Sequence, residues 1–217
     1  MESTLIREEK AKRLYRWFLA FYCLFCAALL AIYIARRDSY HWGITCGTFA
    51  VPLGIALIWR LPFLHRVWQL DCVILGFAFI TYPLGACLDF YRILPGFDKV
   101  AHGLSGTFAS LLALDLYYAL KPGHRIERND TALAITFMFF ASVAVAGLWE
   151  IGEFLVARIV KLDLQRVEKT GISDSMWDMI VCMAGTVAAI PIALRVCRGK
   201  SGIFSNAVRD AVAINFQ

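Results

Sequence analysis

The sequence predicts an all-α membrane protein, a polytopic bundle of about six transmembrane helices. Of its 217 residues, 59% are hydrophobic and 18% are charged, and the mean hydropathy is +0.62. Soluble domains are about 45–50% apolar and about 25% charged, and a water-soluble globule of this size could not bury so much apolar surface. The aromatic content of 14% excludes disorder, because disordered chains are poor in aromatic residues.

Six segments have the length needed to span a bilayer, about 20 mostly apolar residues. In chain order they are residues 17–35, 42–59, 70–88, 100–120, 131–157 and 177–194. The second contains Pro52, where we expect a kink, because proline lacks the N–H that continues a helix. Residues 1–198 are predicted to form a single transmembrane domain, followed by a cytoplasmic tail at 199–217.

The distribution of Lys and Arg predicts the orientation of these spans. Of the 22 Lys and Arg residues, fourteen lie in the two termini and in the connections on the same side of the membrane as the termini. The other eight, including Arg166 and Lys169, lie on the opposite side. By the positive-inside rule, both termini are expected in the cytoplasm. The net charge of +5 then reflects topology and contact with anionic lipid rather than nucleic-acid binding.

Three pairs of polar residues lie in or beside the last three spans, where ionisable groups are costly and indicate function by default. The pairs are Asp98 with His102, Glu150 with Glu153, and Asp174 with Asp178. Spacings of three or four residues place both members of a pair on one face of a helix. With the predicted orientation, all six side chains lie at one depth near the outer surface.

This convergence of five carboxylates and one imidazole predicts a metal or substrate site, because so many ionised groups cannot be buried together without neutralisation. Mg²⁺, Mn²⁺, Zn²⁺ and iron suit oxygen ligands with one nitrogen, so we expect a divalent cation as cofactor. The expected metal ligands are Glu150, Glu153, Asp174 and Asp178, the catalytic residues are His102 and Asp98, and Arg92 and Lys99 receive an anionic head group.

Two other interpretations account for the same residues. Asp98 and Asp174 stand at the first turn of a span, where a carboxylate caps the helix. A cation such as Lys99 could pair with Glu150 or Glu153 in a purely structural network. A proton or ion path is the third alternative.

The order of the three polar segments resembles that of the YjdF-like bacterial inner-membrane proteins, a family known mainly as a domain of unknown function. The segments are FDKVAHGLSG, GLWEIGEF and SDSMWDMIVCMAGT, and the resemblance covers residues 89–189. It implies a bacterial inner-membrane protein in which the six residues of the three pairs are signature positions. A weaker similarity to VanZ-like proteins rests on the Asp-Lys-x-x-His segment. Those proteins typically have Glu-x-x-Gln where this chain has Glu150-x-x-Glu153.

Three functions are compatible with this pattern. The first is a membrane-embedded, metal-dependent enzyme acting on lipid or polyprenyl-phosphate head groups from the outer side. The second is a non-catalytic envelope accessory subunit whose polar cluster locks the bundle. The third, a proton- or ion-coupled carrier, is disfavoured because the inner halves of the last three spans contain few ionisable residues. Membrane lipid is the expected partner in the first case, and no nucleic acid is expected in any.

Overall fold

The computed structural model describes residues 2–62, 64–161 and 171–216, and these contain helices and turns without a strand. The helices are α1 (Glu2–Ala35), α2 (Ser39–Thr48), α3 (Ala50–Ile58), α4 (Trp68–Phe79), a π-helical segment (Ile80–Cys87), α5 (Phe90–Ile93), α6 (Phe97–Leu120), α7 (Thr131–Val160), α8 (Ser173–Cys197) and α9 (Ile203–Phe216). A 3₁₀ turn (Arg128–Asp130) precedes α7. The all-α fold class is confirmed.

Six helical stretches of the described chain are long and apolar enough to cross a membrane. They are Glu2–Ala35, Ser39–Ile58, Trp68–Cys87, Phe97–Leu120, Arg128–Ile159 and Ser173–Cys197. Each overlaps one span predicted from the sequence, in the same order, and the protein is a polytopic helix bundle. The orientation stays a prediction, and of the residues it depends on, Arg166 and Lys169 lie outside the described residues.

The chain divides into two compact units. One comprises the chain up to Phe97 together with Ala213–Asn215, and the other runs from Asp98 to Val212. Most of α9 belongs to the second unit, where Val208 and Val212 are buried in one core with Leu114 and Met138. The segment predicted as a tail therefore contains a packed helix. The extent of the single transmembrane domain remains a prediction.

In the first unit, Glu8 of α1 accepts hydrogen bonds from the first two residues of α4. Its carboxylate accepts hydrogen bonds from the backbone N–H of Trp68 at 2.6 Å and from Nε2 of Gln69 at 2.8 Å. Val67 precedes α4 and provides no side-chain cap, whereas the first N–H groups of a helix need acceptors and favour a negative charge. This role explains why the charged side chain of Glu8 is buried.

The second span is interrupted where α2 ends and α3 begins, close to Pro52 as expected. Because Pro52 has no N–H, the carbonyl of Thr48, four residues earlier, loses its helical donor. The buried hydroxyl of Tyr22 on α1 donates to that carbonyl at 3.0 Å. A proline interruption is thus compensated by a side chain of the neighbouring helix, as a membrane interior requires.

Asp71 of α4 holds the connection between α3 and α4 in place. Its substitution therefore tests the packing of the first unit. The buried carboxylate accepts hydrogen bonds from Nε1 of Trp59 and Nε of Arg66, both at 2.6 Å.

We expect Asp71→Ala to lower the free energy of unfolding by about 2 kcal/mol, since it leaves a guanidinium and an indole N–H without their acceptor. Thermal unfolding of the purified variant in detergent measures the change.

The matched control is Glu9→Ala. Glu9 pairs with Lys12 at 3.3 Å, but its side chain is 74% exposed. Exposed ion pairs contribute about 0–1 kcal/mol, so this variant should unfold almost as the wild type does. Equal losses in Asp71→Ala and Glu9→Ala would contradict the role given to Asp71.

In the second unit, α6 and α8 pack backbone against backbone. A Cβ atom at Gly106 would overlap the carbonyl of Cys182, and one at Gly185 would overlap the carbonyl of Gly103. Oγ1 of Thr107 donates across this contact to the carbonyl of Gly185 at 2.9 Å. Small residues permit such close approach of membrane helices.

Helix α7 joins α6 and α8 through a buried hydroxyl. Oγ of Ser142 donates to the carbonyl of Gly106 at 3.2 Å and lies 2.7 Å from Oγ1 of Thr186. Hydrogen bonds of this kind connect helices where no water is present. The three helices therefore have a fixed register, which determines where their polar ends lie.

Candidate functional site

The first two turns of α6 and α8 bring three of the predicted site residues around the ammonium group of a fourth, Lys99. Nζ of Lys99 lies 2.6 Å from Oδ1 of Asp178, 2.7 Å from Oδ1 of Asp174 and 3.3 Å from Oδ2 of Asp98. An ammonium has three donors, and each is directed to one carboxylate. The spacing of four residues predicted that Asp98 and His102 share a face of α6 and that Asp174 and Asp178 share a face of α8. These two faces meet at the contact between α6 and α8.

His102 approaches two of the same carboxylates. Its Nε2 is 3.6 Å from Oδ1 of Asp98 and 3.6 Å from Oδ1 of Asp178, beyond hydrogen-bond distance from both. Asp98, His102 and Asp178 each have one atom able to ligate a metal, and these three atoms lie within 4.8 Å of one another. The side chains of all three are largely buried, Asp178 most of all.

These three residues have the chemistry and spacing of a divalent-metal site. With metal–ligand bonds of about 2.1 Å, tetrahedral ligand atoms are about 3.4 Å apart. The two separations of 3.6 Å from Nε2 of His102 are close to this value, and all three ligand atoms lie within 4.8 Å of one another. Two carboxylates and an imidazole suit Mn²⁺, Zn²⁺ or iron more than a purely oxygen-binding cation. The residues fit a divalent cation.

A groove of about 400 Å³ opens between α7 and α8 in the same unit. Its lining is mostly apolar, from side chains such as Ile151, Phe154 and Met176, and it includes the buried carboxyl group of Glu150 and the hydroxyl-bearing Ser175. In the sequence, Ser175 lies between Asp174 and Asp178, two of the carboxylates that contact Lys99. An apolar groove with few polar groups has the composition of a binding site for a hydrocarbon-bearing ligand.

Glu153 lies one turn from Glu150 on α7 and is outside the group of three. Its carboxylate accepts a hydrogen bond from Nε1 of Trp149 at 2.8 Å, and it interacts electrostatically with Glu150, Asp178 and Asp98. The α7 pair thus lies near enough to interact with two carboxyl groups of the site. Its expected role as metal ligand stays a prediction.

Arg92 lies in the first unit, which has its own polar cluster. Its guanidinium is 75% exposed and lies 3.7 Å from Oδ2 of Asp89. The same carboxylate is 3.1 Å from Nε2 of His41, whose Nδ1 is 2.6 Å from Oδ2 of Asp38. The backbone N–H of His41 hydrogen-bonds the Asp38 carboxylate and holds its pKa below the usual range.

This Asp38–His41–Asp89 cluster differs from the site in the second unit. The two carboxylates contact opposite nitrogens of one imidazole ring, so no single ion can be bound by all three residues. Sequence reasoning missed the cluster, although the spacing of three between Asp38 and His41 was a usable signal. It offers a matched set of residues for control substitutions.

The fold and these sites define the class of protein: a polytopic α-helical membrane protein with ionisable residues inside its spans. The chain belongs to the family described as predicted membrane protein (DUF2238), whose model matches residues 17–199. This is the family of the YjdF-like proteins, so that resemblance is confirmed, whereas the similarity to VanZ-like proteins has no support. No curated protein and no solved structure is significantly similar to the chain.

Proposed function

We propose that this protein is a metal-dependent enzyme of the bacterial inner membrane that acts on the phosphate head group of a lipid or polyprenyl phosphate. The proposal rests on the proximity of Asp98, His102 and Asp178. Each has one atom able to ligate a metal, and the three atoms lie within 4.8 Å of one another. In the orientation predicted from the sequence, this site faces the outer side of the membrane.

The balance of charge supports a cation at this position. Five carboxyl groups lie on the facing ends of α6, α7 and α8, and the ammonium of Lys99 is paired with three of them. Carboxylates held close together in a medium of low dielectric constant need compensating positive charge. A divalent cation at Asp98, His102 and Asp178 provides that charge.

The surrounding residues have separate roles in this proposal. When bound, a divalent cation polarises a phosphoryl oxygen or activates a water molecule. Lys99 binds a phosphate oxygen while keeping its contact with Asp174. The groove between α7 and α8, with Glu150 on its wall, holds the hydrocarbon chain.

The proposed ligands differ from those expected from the sequence. His102 and Asp98 become metal ligands rather than catalytic groups, and Asp178 keeps its expected role. Glu150 is assigned to the groove, where it is a lining residue. The head-group role is assigned to Lys99 alone.

One observation favours a second candidate, the non-catalytic accessory subunit. Lys99 already connects α6 to α8 through three carboxylates, and such a network can serve only to fix the helices. In that case paired neutral substitutions at the site would be tolerated, and the protein would copurify with a partner.

Phosphate release tests the enzymatic proposal. The full chain in mixed micelles should release phosphate from phosphatidic acid or from a polyprenyl diphosphate when Mn²⁺ or Mg²⁺ is added, and chelation should abolish the activity. Asp178→Asn should lower the rate at least about a hundredfold, since loss of a ligand removes the cation. Asp38→Asn, which alters the cluster of the first unit, should retain the wild-type rate. Absence of turnover by protein shown to contain metal would contradict the enzymatic role.

A further inference from the structure

A concave basic surface lies at the end of α8 that is remote from the candidate metal site. It has a volume of about 300 Å³ and is lined by Arg128, Cys197, Arg198 and Lys200. From the sequence, these cations were expected to set the topology and to meet anionic lipid, without a defined site among them. Asp178 and Cys197 are separated by nineteen residues of one helix, which corresponds to about 28 Å at a rise of 1.5 Å per residue.

The three cations that line this concavity have exposed side chains. Among the described residues, none of them is paired with a carboxylate. The nearest acidic residues in the sequence, Glu127 and Asp130, are both bound to Nζ of Lys121. The positive charge at the concavity is therefore not cancelled within its own connection.

Two further arginines fix the turn that forms this surface. Nη1 of Arg209 donates to the carbonyl of Gly199 at 3.0 Å, and Nη2 of Arg195 donates to the carbonyl of Ser201. Sγ of Cys197, at the base of the concavity, lies 3.2 Å from the hydroxyl of Tyr118. The backbone that carries the cations is held in place, so the surface is formed before any ligand binds.

The position along the spans indicates the kind of ligand. Arg128 is the first residue of the fifth span, and the sixth span ends at Cys197, next to Arg198. Residues at the ends of spans lie at the level of the lipid head groups. Basic pockets between spans at that level bind the phosphate groups of anionic lipids.

We infer that the concavity formed by Arg128, Arg198 and Lys200 is a binding site for the phosphate head group of an anionic phospholipid. The cations supply charge-assisted hydrogen bonds to the phosphate oxygens, and the lipid chains lie along the apolar surface of the spans. The site is independent of the proposed catalytic function, because it shares no residue with it and lies at the other end of α8.

Native mass spectrometry of the full chain from mixed micelles tests this site. The probes are dioleoylphosphatidylglycerol and dioleoylphosphatidylcholine at equal concentration. We expect the wild type to retain the anionic lipid preferentially. Each cation near an anionic lipid contributes on the order of fivefold in affinity, so the triple variant Arg128→Gln/Arg198→Gln/Lys200→Gln should retain at least about tenfold less phosphatidylglycerol.

Two controls make the result specific. Arg60→Gln removes an exposed cation beside another span and should bind as the wild type does. The charge-preserving variant Arg128→Lys/Arg198→Lys should keep most of the lipid, which shows that the triple variant fails through its charge and not through its fold. Equal retention of the two lipids, or retention by the triple variant, would overturn the inference. So would complete displacement of the lipid by millimolar inorganic phosphate, which would identify a site for a free anion.

Discussion

Replacing Gly185 by alanine is expected to destabilise the second unit strongly. The new methyl group would overlap the carbonyl of Gly103, and a backbone carbonyl cannot move aside as a flexible side chain can. Overpacking typically costs about 1–3 kcal/mol, and we expect a loss at or above the upper value because two helix backbones must separate. Folded yield and the thermal midpoint in detergent measure it.

The matched control for this substitution is Gly147→Ala. The nearest atom that its methyl group would meet is Cε of Met179 at 3.9 Å, an ordinary contact with a flexible side chain. Gly147→Ala should therefore leave the thermal midpoint nearly unchanged. If both alanine variants folded as well as the wild type, the close packing of α6 and α8 would be wrong, and with it the position of the candidate site.

Replacing Lys99 by methionine is expected to have the second large effect, and the size of the loss in stability depends on divalent cations. Without the ammonium, Asp98, Asp174 and Asp178 are left facing one another. Removing one partner of a buried ion pair costs about 3–5 kcal/mol. Because Lys99 is 30% exposed, we expect a loss of about 3 kcal/mol in the presence of a chelator. Added Mn²⁺ or Zn²⁺ should recover most of this loss, since a cation at the site replaces the missing charge.

Lys12→Met is the matched control for Lys99→Met. The Lys12 side chain has the same exposed fraction, 30%, but its partner Glu9 is exposed. This variant should change little, with or without divalent cations. A Lys99→Met variant that is destabilised and not recovered by any divalent cation would favour the structural network of the accessory-subunit alternative. A Lys99→Met variant that is as stable as the wild type would show that the ion pairs of Lys99 contribute nothing to the free energy of unfolding.

The fold was largely predictable because the hydrophobic effect of the membrane leaves a strong pattern in the sequence. A continuous apolar segment of about 20 residues has few alternatives to a spanning helix. The boundaries were less predictable: α1 begins at Glu2 and not at residue 17, since its polar first half contributes contacts such as that of Glu8 with α4. Hydropathy does not register such contacts.

The candidate site was predictable in part. Spacing along a helix identified which polar residues share a face, and Asp98, Asp174 and Asp178 do lie together around Lys99. Spacing does not say which neighbouring helix a face contacts. For this reason the contact of Lys99 with Asp174 and Asp178 on α8 was not anticipated, and the role of Glu150 as a metal ligand stays a prediction.

The remaining features depend on tertiary structure. His41 bridges Asp38 and Asp89, which are 51 residues apart in the numbering, and the sequence gives no sign that they meet. The basic concavity likewise combines Arg128 with residues that follow α8. Both become visible only when the connections between the spans have a defined path.

Metal content shows whether Asp98, His102 and Asp178 hold a divalent cation. Elemental mass spectrometry is applied to protein purified gently in detergent, with Asp178→Asn and His102→Gln compared with the wild type and with Asp38→Asn. The account predicts one equivalent of a divalent metal in the wild type and in Asp38→Asn, and little or none in folded Asp178→Asn and His102→Gln. Wild-type protein that stays free of metal after reconstitution with Mn²⁺, Zn²⁺ and Fe²⁺, or site variants that retain the full equivalent, would contradict it.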